Sequence, residues 1–145
     1  MENERGDIRS QSIKYKKLQT LMYHINKETL IKEHQKQITN KASGIDKVTK
    51  EKYELNLYNN IDKLIQRMKL FKYKPQAVRR TYIPKANGKL RPLGIPAYED
   101  KLVQGVMANI LNEIYEPRFL NCSYGFRPSR NCHNAIASIK KSIMT

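Results

Sequence analysis

The stretch Arg79-Arg80-Thr81-Tyr82-Ile83-Pro84-Lys85-Ala86-Asn87-Gly88-Lys89-Leu90-Arg91-Pro92-Leu93-Gly94-Ile95-Pro96 decides how this 145-residue chain is read. Asn87-Gly88 is a strong hairpin signal, because both residues enter positive φ at low cost. Two registers are open. A loop of Asn87-Gly88 alone would pair Lys85 with Leu90 and Pro84 with Arg91, sending Lys85 and Arg91 to opposite faces. A three-residue loop, Ala86-Asn87-Gly88 with Gly88 as a left-handed bulge residue, pairs Lys85 with Lys89 and Ile83 with Arg91. Period-two alternation then gathers Lys85, Lys89 and Arg91 on one face, where three cations can grip a triphosphate or a strand backbone. The three-residue loop is favoured on that ground. Pro84 suits an edge strand, since it has no N–H to give a ladder.

The charge balance points the same way. The chain carries 28 Lys and Arg against 13 Asp and Glu, a formal net charge of +15. Self-repulsion of that size is relieved by a polyanion, so nucleic acid is the expected partner class. Residues 63–91 hold ten basic side chains (Lys63, Arg67, Lys69, Lys72, Lys74, Arg79, Arg80, Lys85, Lys89 and Arg91) and no acid. A solvated basic face, with a solubilising hairpin tip, is the plainer reading of the same residues.

Other classes are disfavoured. No apolar run approaches the roughly 18 residues of a membrane span, and residues 1–10 lack the apolar centre of a signal peptide. Cys122 and Cys132 suit a reduced cytosolic protein. His133 adjoins Cys132, but His24 and His34 lie far off in sequence and no zinc spacing is present. The sequon Asn121-Cys122-Ser123 carries no meaning without secretion.

Around the hairpin the pattern is helical. Residues 11–37 place Ile13, Leu18, Leu21, Met22, Ile25 and Thr29 at helical spacing, and a polar loop follows through Gly44. Residues 50–71 form a second expected helix, with Tyr53, Leu57, Ile61, Leu64, Met68 and Phe71 along its core stripe. Lys74-Pro75 closes it. Pro96, Glu99 and Asp100 suit the first turn of a third helix. Val103, Val106, Met107, Ile110, Leu111 and Ile114 form its expected buried side, and Pro117 its end. An irregular stretch, 121–130, leads to a last helix from about Asn131 with Ile136, Ile139 and Ile143 on one face. That helix is still running at Thr145, which suggests an excerpt of a longer chain.

Several blocks resemble the reverse transcriptases encoded by bacterial group II introns. They are Tyr82-Ile83-Pro84-Lys85, then Asn87-Gly88-Lys89-Leu90-Arg91-Pro92-Leu93-Gly94-Ile95-Pro96, Glu99-Asp100-Lys101-Leu102-Val103-Gln104 and Ser123-Tyr124-Gly125-Phe126-Arg127-Pro128-Ser129-Arg130. Ala42-Ser43-Gly44-Ile45-Asp46 with Thr49 looks like that family's N-terminal loop. The resemblance covers about residues 41–136, in the family's order.

It implies an α+β fold, the helix-rich fingers subdomain of a right-hand polymerase, with an antiparallel hairpin and an N-terminal helical extension. Residues 1–49 would form the extension and a lid-like loop, and residues 50–145 the fingers. Lys85 and Arg91 match the positions that contact the incoming nucleotide's triphosphate. Leu93 and Ile95 match those that hold the templating base, and Gly44, Ile45 and Asp46 the lid over the template. Arg79, Arg80, Lys89, Arg127 and Arg130 are expected to contact template or intron RNA.

The family's catalytic aspartates, which hold two Mg²⁺, follow the Gly-Phe-Arg-Pro block by some tens of residues and lie beyond Thr145. The expected fragment therefore has no catalytic residue, metal or cofactor of its own, and is inactive alone. Mg²⁺, DNA primer and deoxynucleotides belong to the intact enzyme. Glu113 and Glu116 are read as a solvated helix face. A bacterial cytoplasmic setting is expected, as is self-association through apolar surface. The competing expectation is a stand-alone, non-catalytic RNA-binding module or remnant. An unrelated basic RNA-binding protein, such as a ribosomal one, does not explain four blocks in order.

Overall fold

A computed structural model describes Ile8 and residues 21–144. Within them the chain is mixed helix and strand. A 3₁₀ turn at Leu21–His24 is followed by α1 (Lys27–Lys36), α2 (Lys50–Glu54) and α3 (Leu57–Lys69). Then come β1 (Arg79–Pro84), β2 (Leu90–Ile95), α4 (Tyr98–Tyr115), a 3₁₀ turn at Glu116–Arg118 and α5 (Cys132–Ile143). Two compact units divide between Asn109 and Ile110.

The strands form a two-stranded antiparallel sheet in the register Arg79↔Ile95, Thr81↔Leu93, Ile83↔Arg91 and Pro84↔Leu90. Lys85 N–H donates to Lys89 O at 2.8 Å, and Gly88 N–H to Lys85 O at 3.0 Å. The loop is therefore Ala86-Asn87-Gly88, with Gly88 at φ +75°. That left-handed bulge is the reason for glycine here.

Both long helices read from periodicity are broken. Residues 11–20 lie outside the described ones; beyond them the helical run is interrupted at Ile25-Asn26. Asn26 and Thr29 form a reciprocal capping box, each side chain accepting the other's backbone N–H at 3.0 Å. Two local acceptors thus start a new helix where apolar spacing alone implied continuity. The second break falls at Leu55-Asn56, where Asn60 Nδ2 donates to Tyr53 O at 3.1 Å and satisfies the end of α2. At the C-terminus of α3, Phe71 takes φ +55° while Lys72 and Tyr73 N–H both close on Arg67 O. That left-handed exit turns Phe71 outward, 95% exposed, so it is not part of the core stripe.

Leu30 of α1, Tyr53 of α2, Ile61 and Leu64 of α3, and Ala97, Tyr98, Leu102, Val103 and Val106 at α4 are buried. Met107 and Leu111, expected on the buried side of α4, are exposed instead; Ile110 and Ile114 are buried. The stripe is narrower than the apolar run. Gly105 allows α1 and α4 to approach closely, since a Cβ there would collide with the Glu33 carboxylate. Buried Glu33 is satisfied by Gln37 Nε2 at 3.1 Å and Asn109 Nδ2 at 3.2 Å.

Candidate nucleic-acid interface

The first turn of α4 organises the foot of the hairpin. Asp46 Oδ2 accepts Tyr98 N–H at 2.8 Å, capping α4 from a loop 52 residues earlier. Its Oδ1 accepts Val48 N–H at 3.3 Å. Lys101 Nζ donates to Ala42 O at 2.9 Å, and a Cβ on Gly44 would collide with the Pro96 carbonyl and Ala97 backbone. The loop thus lies tight against the exit of β2. Gly44 is the close approach and Asp46 the cap, while Ile45 is exposed.

The next two acids on α4 hold the other side. Glu99 accepts from Arg67 Nη2 at 2.5 Å and from the Tyr53 hydroxyl at 3.3 Å. Asp100 accepts the Tyr73 hydroxyl at 2.5 Å and Gln76 N–H at 2.8 Å. Negative side chains are favoured at a helix N-terminus, and here they also fasten the segment entering β1. Burial and the neighbouring carboxylates raise the pKa of both Tyr53 and Tyr73. Below this layer, the Tyr98 hydroxyl and His34 Nδ1 are hydrogen-bonded at 2.9 Å, and the Tyr53 and Tyr98 rings pack with centroids 4.9 Å apart at a tilt of 42°. Burial pushes Tyr98 up to about 12 and holds His34 below its usual range.

From this foot the hairpin extends with almost every residue exposed, Ile95 alone being buried and Thr81 half-buried. Alternation from the observed pairs puts Arg79, Ile83, Lys85, Lys89, Arg91, Leu93 and Ile95 on one face. Arg80 falls on the opposite face with Tyr82, Pro84, Leu90 and Pro92. None of Lys72, Lys74, Arg79, Arg80, Lys85, Lys89 and Arg91 forms an ion pair with a described residue. They form an uncompensated cationic surface, available to an anion.

Arg127 and Arg130 are placed differently. Arg127 Nε and Nη2 grip the Glu116 carboxylate, Nη2 at 2.8 Å, and Nη1 donates to Leu120 O at 2.8 Å and Ser123 O at 3.0 Å. Its side chain is 6% exposed and lies over Phe119. Arg130 Nη1 donates to Asn121 O at 2.5 Å, and its guanidinium lies over Tyr124. Every nitrogen of the Arg127 guanidinium is committed inside its own loop. Glu116, read as a solvated face, is its partner. Such a pair of Glu and Arg 11 residues apart follows no periodic rule, and no signal in the sequence marks it.

No family model matches the chain. Over 82 residues it is 54% identical to the group II intron-encoded protein LtrA of Lactococcus lactis subsp. cremoris, covering 56% of this chain and 14% of that protein. The chain is related to group II intron-encoded proteins. It is also 44% identical over 97 residues to Protein YkfC of Escherichia coli, 67% of this chain and 26% of that one. Nuclear intron maturase 1, mitochondrial, of Arabidopsis thaliana is 40% identical over 47 residues, 32% of this chain and 7% of that protein. The intron-encoded relatives are thus matched over only a small part of their own length.

Proposed function

We propose that this chain is the fingers part of a group II intron reverse transcriptase and maturase, with residues 1–49 as N-terminal extension and lid-like loop and residues 50–145 as fingers. The observation that carries this is the unpaired cationic face of Lys85, Lys89 and Arg91, on a chain whose relatives are intron-encoded. Nucleotidyl transfer needs charge neutralisation on the triphosphate. Lys85 supplies a point charge, Arg91 a planar fork able to bind two oxygens, and Lys89 a third charge toward RNA. Leu93, exposed on the same face with Ile95 beneath it, offers apolar surface to a templating base. Ile45 faces the template from the loop that Gly44 and Asp46 secure. Arg79 adds to the RNA contacts on this face.

Arg127 and Arg130 serve this function by shaping their loop rather than by touching RNA. The partners are intron and template RNA, with DNA primer and deoxynucleotide in the intact bacterial cytoplasmic enzyme, and a second copy through exposed apolar surface. No helix among the described residues is long and apolar enough to cross a membrane.

The acids here do not fit the Mg²⁺ that the resemblance implies. Among the described residues no three His, Cys, Asp or Glu side chains come together to hold a metal. Asp46 is engaged as a cap, Glu99 and Glu116 as ion-pair partners, and Asp100 as the acceptor of the Tyr73 hydroxyl and Gln76 N–H.

The test is Arg91→Ala in the intact polymerase. It should raise the nucleotide concentration for half-maximal rate by about 10- to 100-fold, one charge-assisted hydrogen-bonding group being worth about 1.5–3 kcal/mol, with RNA affinity nearly unchanged. An equal fall in both would make Arg91 a template contact. In a stand-alone RNA-binding module, RNA affinity would depend on Lys85, Lys89 and Arg91 and no nucleotide would compete.

A further inference from the structure

We infer that the opposite face of the hairpin, Arg80, Tyr82, Pro84, Leu90 and Pro92, is a second nucleic-acid surface, on which a base of single-stranded RNA stacks against Tyr82 with its phosphate at Arg80. This rests on the polynucleotide reading above and extends it to residues that the triphosphate grip does not use.

The register creates the surface. Pairs Tyr82↔Pro92 and Pro84↔Leu90 set four apolar side chains in two adjacent rows, with Arg80↔Gly94 next in line. Val78 covers Gly94, its Cγ2 3.3 Å from where a Cβ would stand. Beyond Val78 the face is open, with Tyr82 56% and Leu90 62% exposed. A two-stranded ribbon gains little stability alone, so such a face is expected to meet a partner.

The ladder limits which partner. Lys85 N–H bonds to Lys89 O. By alternation, Ile83↔Arg91 and Thr81↔Leu93 then exchange ladder bonds, and the even-numbered positions aim N–H and C=O outward. Pro84 and Pro92 both fall at outward positions. They cost the ladder nothing, and they delete donors from both open edges. Addition of a peptide strand to either edge is thereby disfavoured, and contact is left to the faces.

Charge then selects among partners for a face. Arg80 has no acid partner among the described residues, nor have Lys72 and Lys74 upstream of the strand. Residues 63–91 contain no acid. An apolar protein partner would leave these cations uncompensated. A single strand supplies aromatic bases and regularly spaced phosphates together, matching an exposed tyrosine two residues from an arginine on one face.

The test is fluorescence anisotropy of the full chain with a labelled 12-nucleotide unstructured RNA over a KCl series. Tyr82→Ala should weaken binding by about 5- to 100-fold, the range for one stacked base, with an unchanged salt slope. Tyr82→Phe should retain affinity and Tyr82→Leu should not. Arg80→Gln should lower the slope by roughly 0.7. Recovery by Tyr82→Leu would mean general apolar packing and would overturn the proposal. So would full affinity in Tyr82→Ala with loss only in Arg79 and Lys89 variants, which would leave the polynucleotide reading intact. No binding by the unsubstituted chain would sink both.

Discussion

The hairpin and the loop over residues 116–130 are both rich in cations within family-like blocks, yet their cations have opposite fates. On the hairpin, the backbone carbonyls are spent on the ladder or face outward beside prolines, and no acid lies within residues 63–91. Lys85, Lys89 and Arg91 are left unpaired. In the loop, the irregular backbone presents the carbonyls of Leu120, Asn121 and Ser123, and Glu116 adds a carboxylate. Arg127 and Arg130 donate to these. Two cationic motif blocks thus differ in the supply of local acceptors, and that supply decides which of their side chains are engaged within the chain.

The sharpest way to break this contrast is Arg127→Ala. Removing it takes the guanidinium from Glu116 and one donor each from the Leu120 and Ser123 carbonyls, and the loss should be about 1.5–3 kcal/mol, tempered by the partial exposure of Glu116. Urea denaturation would measure it, with hydrogen exchange locating the loss in residues 116–130. Arg91→Ala should stay within about 0.5 kcal/mol. Similar losses from both would erase the distinction.

Next in size is RNA affinity. Replacing the hairpin's RNA-facing cations Arg79, Arg80 and Lys89 together by Gln should reduce the log–log salt slope by about 2, at roughly 0.7 per phosphate on a single strand. Binding should weaken by about 10- to 100-fold near physiological salt. Gly88→Ala comes third. It places a Cβ at φ +75° and should cost about 1 kcal/mol of local hairpin stability. The cross-strand amide exchange of Lys85 reports it.

The smallest effect separates the two units by pH. His34 sits 2% exposed, its Nε2 unpartnered, packed by Tyr53 and Tyr98, with Glu54 and Lys50 the charges that act on it in opposite directions. Burial holds its pKa below the ordinary 6.5. The unfolded chain therefore takes up a proton first. The stability contribution is fully present above about pH 6.5 and declines as pH falls toward the folded value. Hydrogen exchange should show residues 21–109 loosening below pH 6.5, and His34→Gln should flatten the effect.

Much of the hairpin was legible in the sequence, because Asn87-Gly88 restricts the turn and alternation then fixes which cations share a face. The helix breaks were harder to see. At Asn26 and Asn60, side chains compete with helix continuity through local hydrogen bonds that apolar spacing does not register. Asp46 could be nominated for the lid from its block, but its service as the cap of α4 needs the fold to bring it 52 residues along the chain. Arg127 was visible as a motif residue, whereas its burial depends on carbonyls that only the folded loop presents. Phe71, Met107 and Leu111 are apolar residues that the core does not take in.

One experiment bears most directly on the contrast: RNA affinity of the chain across a KCl series, comparing Arg79/Arg80/Lys89→Gln with Arg127→Lys/Arg130→Lys. The expected result is a slope about 2 smaller for the hairpin variant and an unchanged slope, with reduced thermal stability, for the loop variant. A slope lowered equally in both, or lowered only in the loop variant, would contradict it.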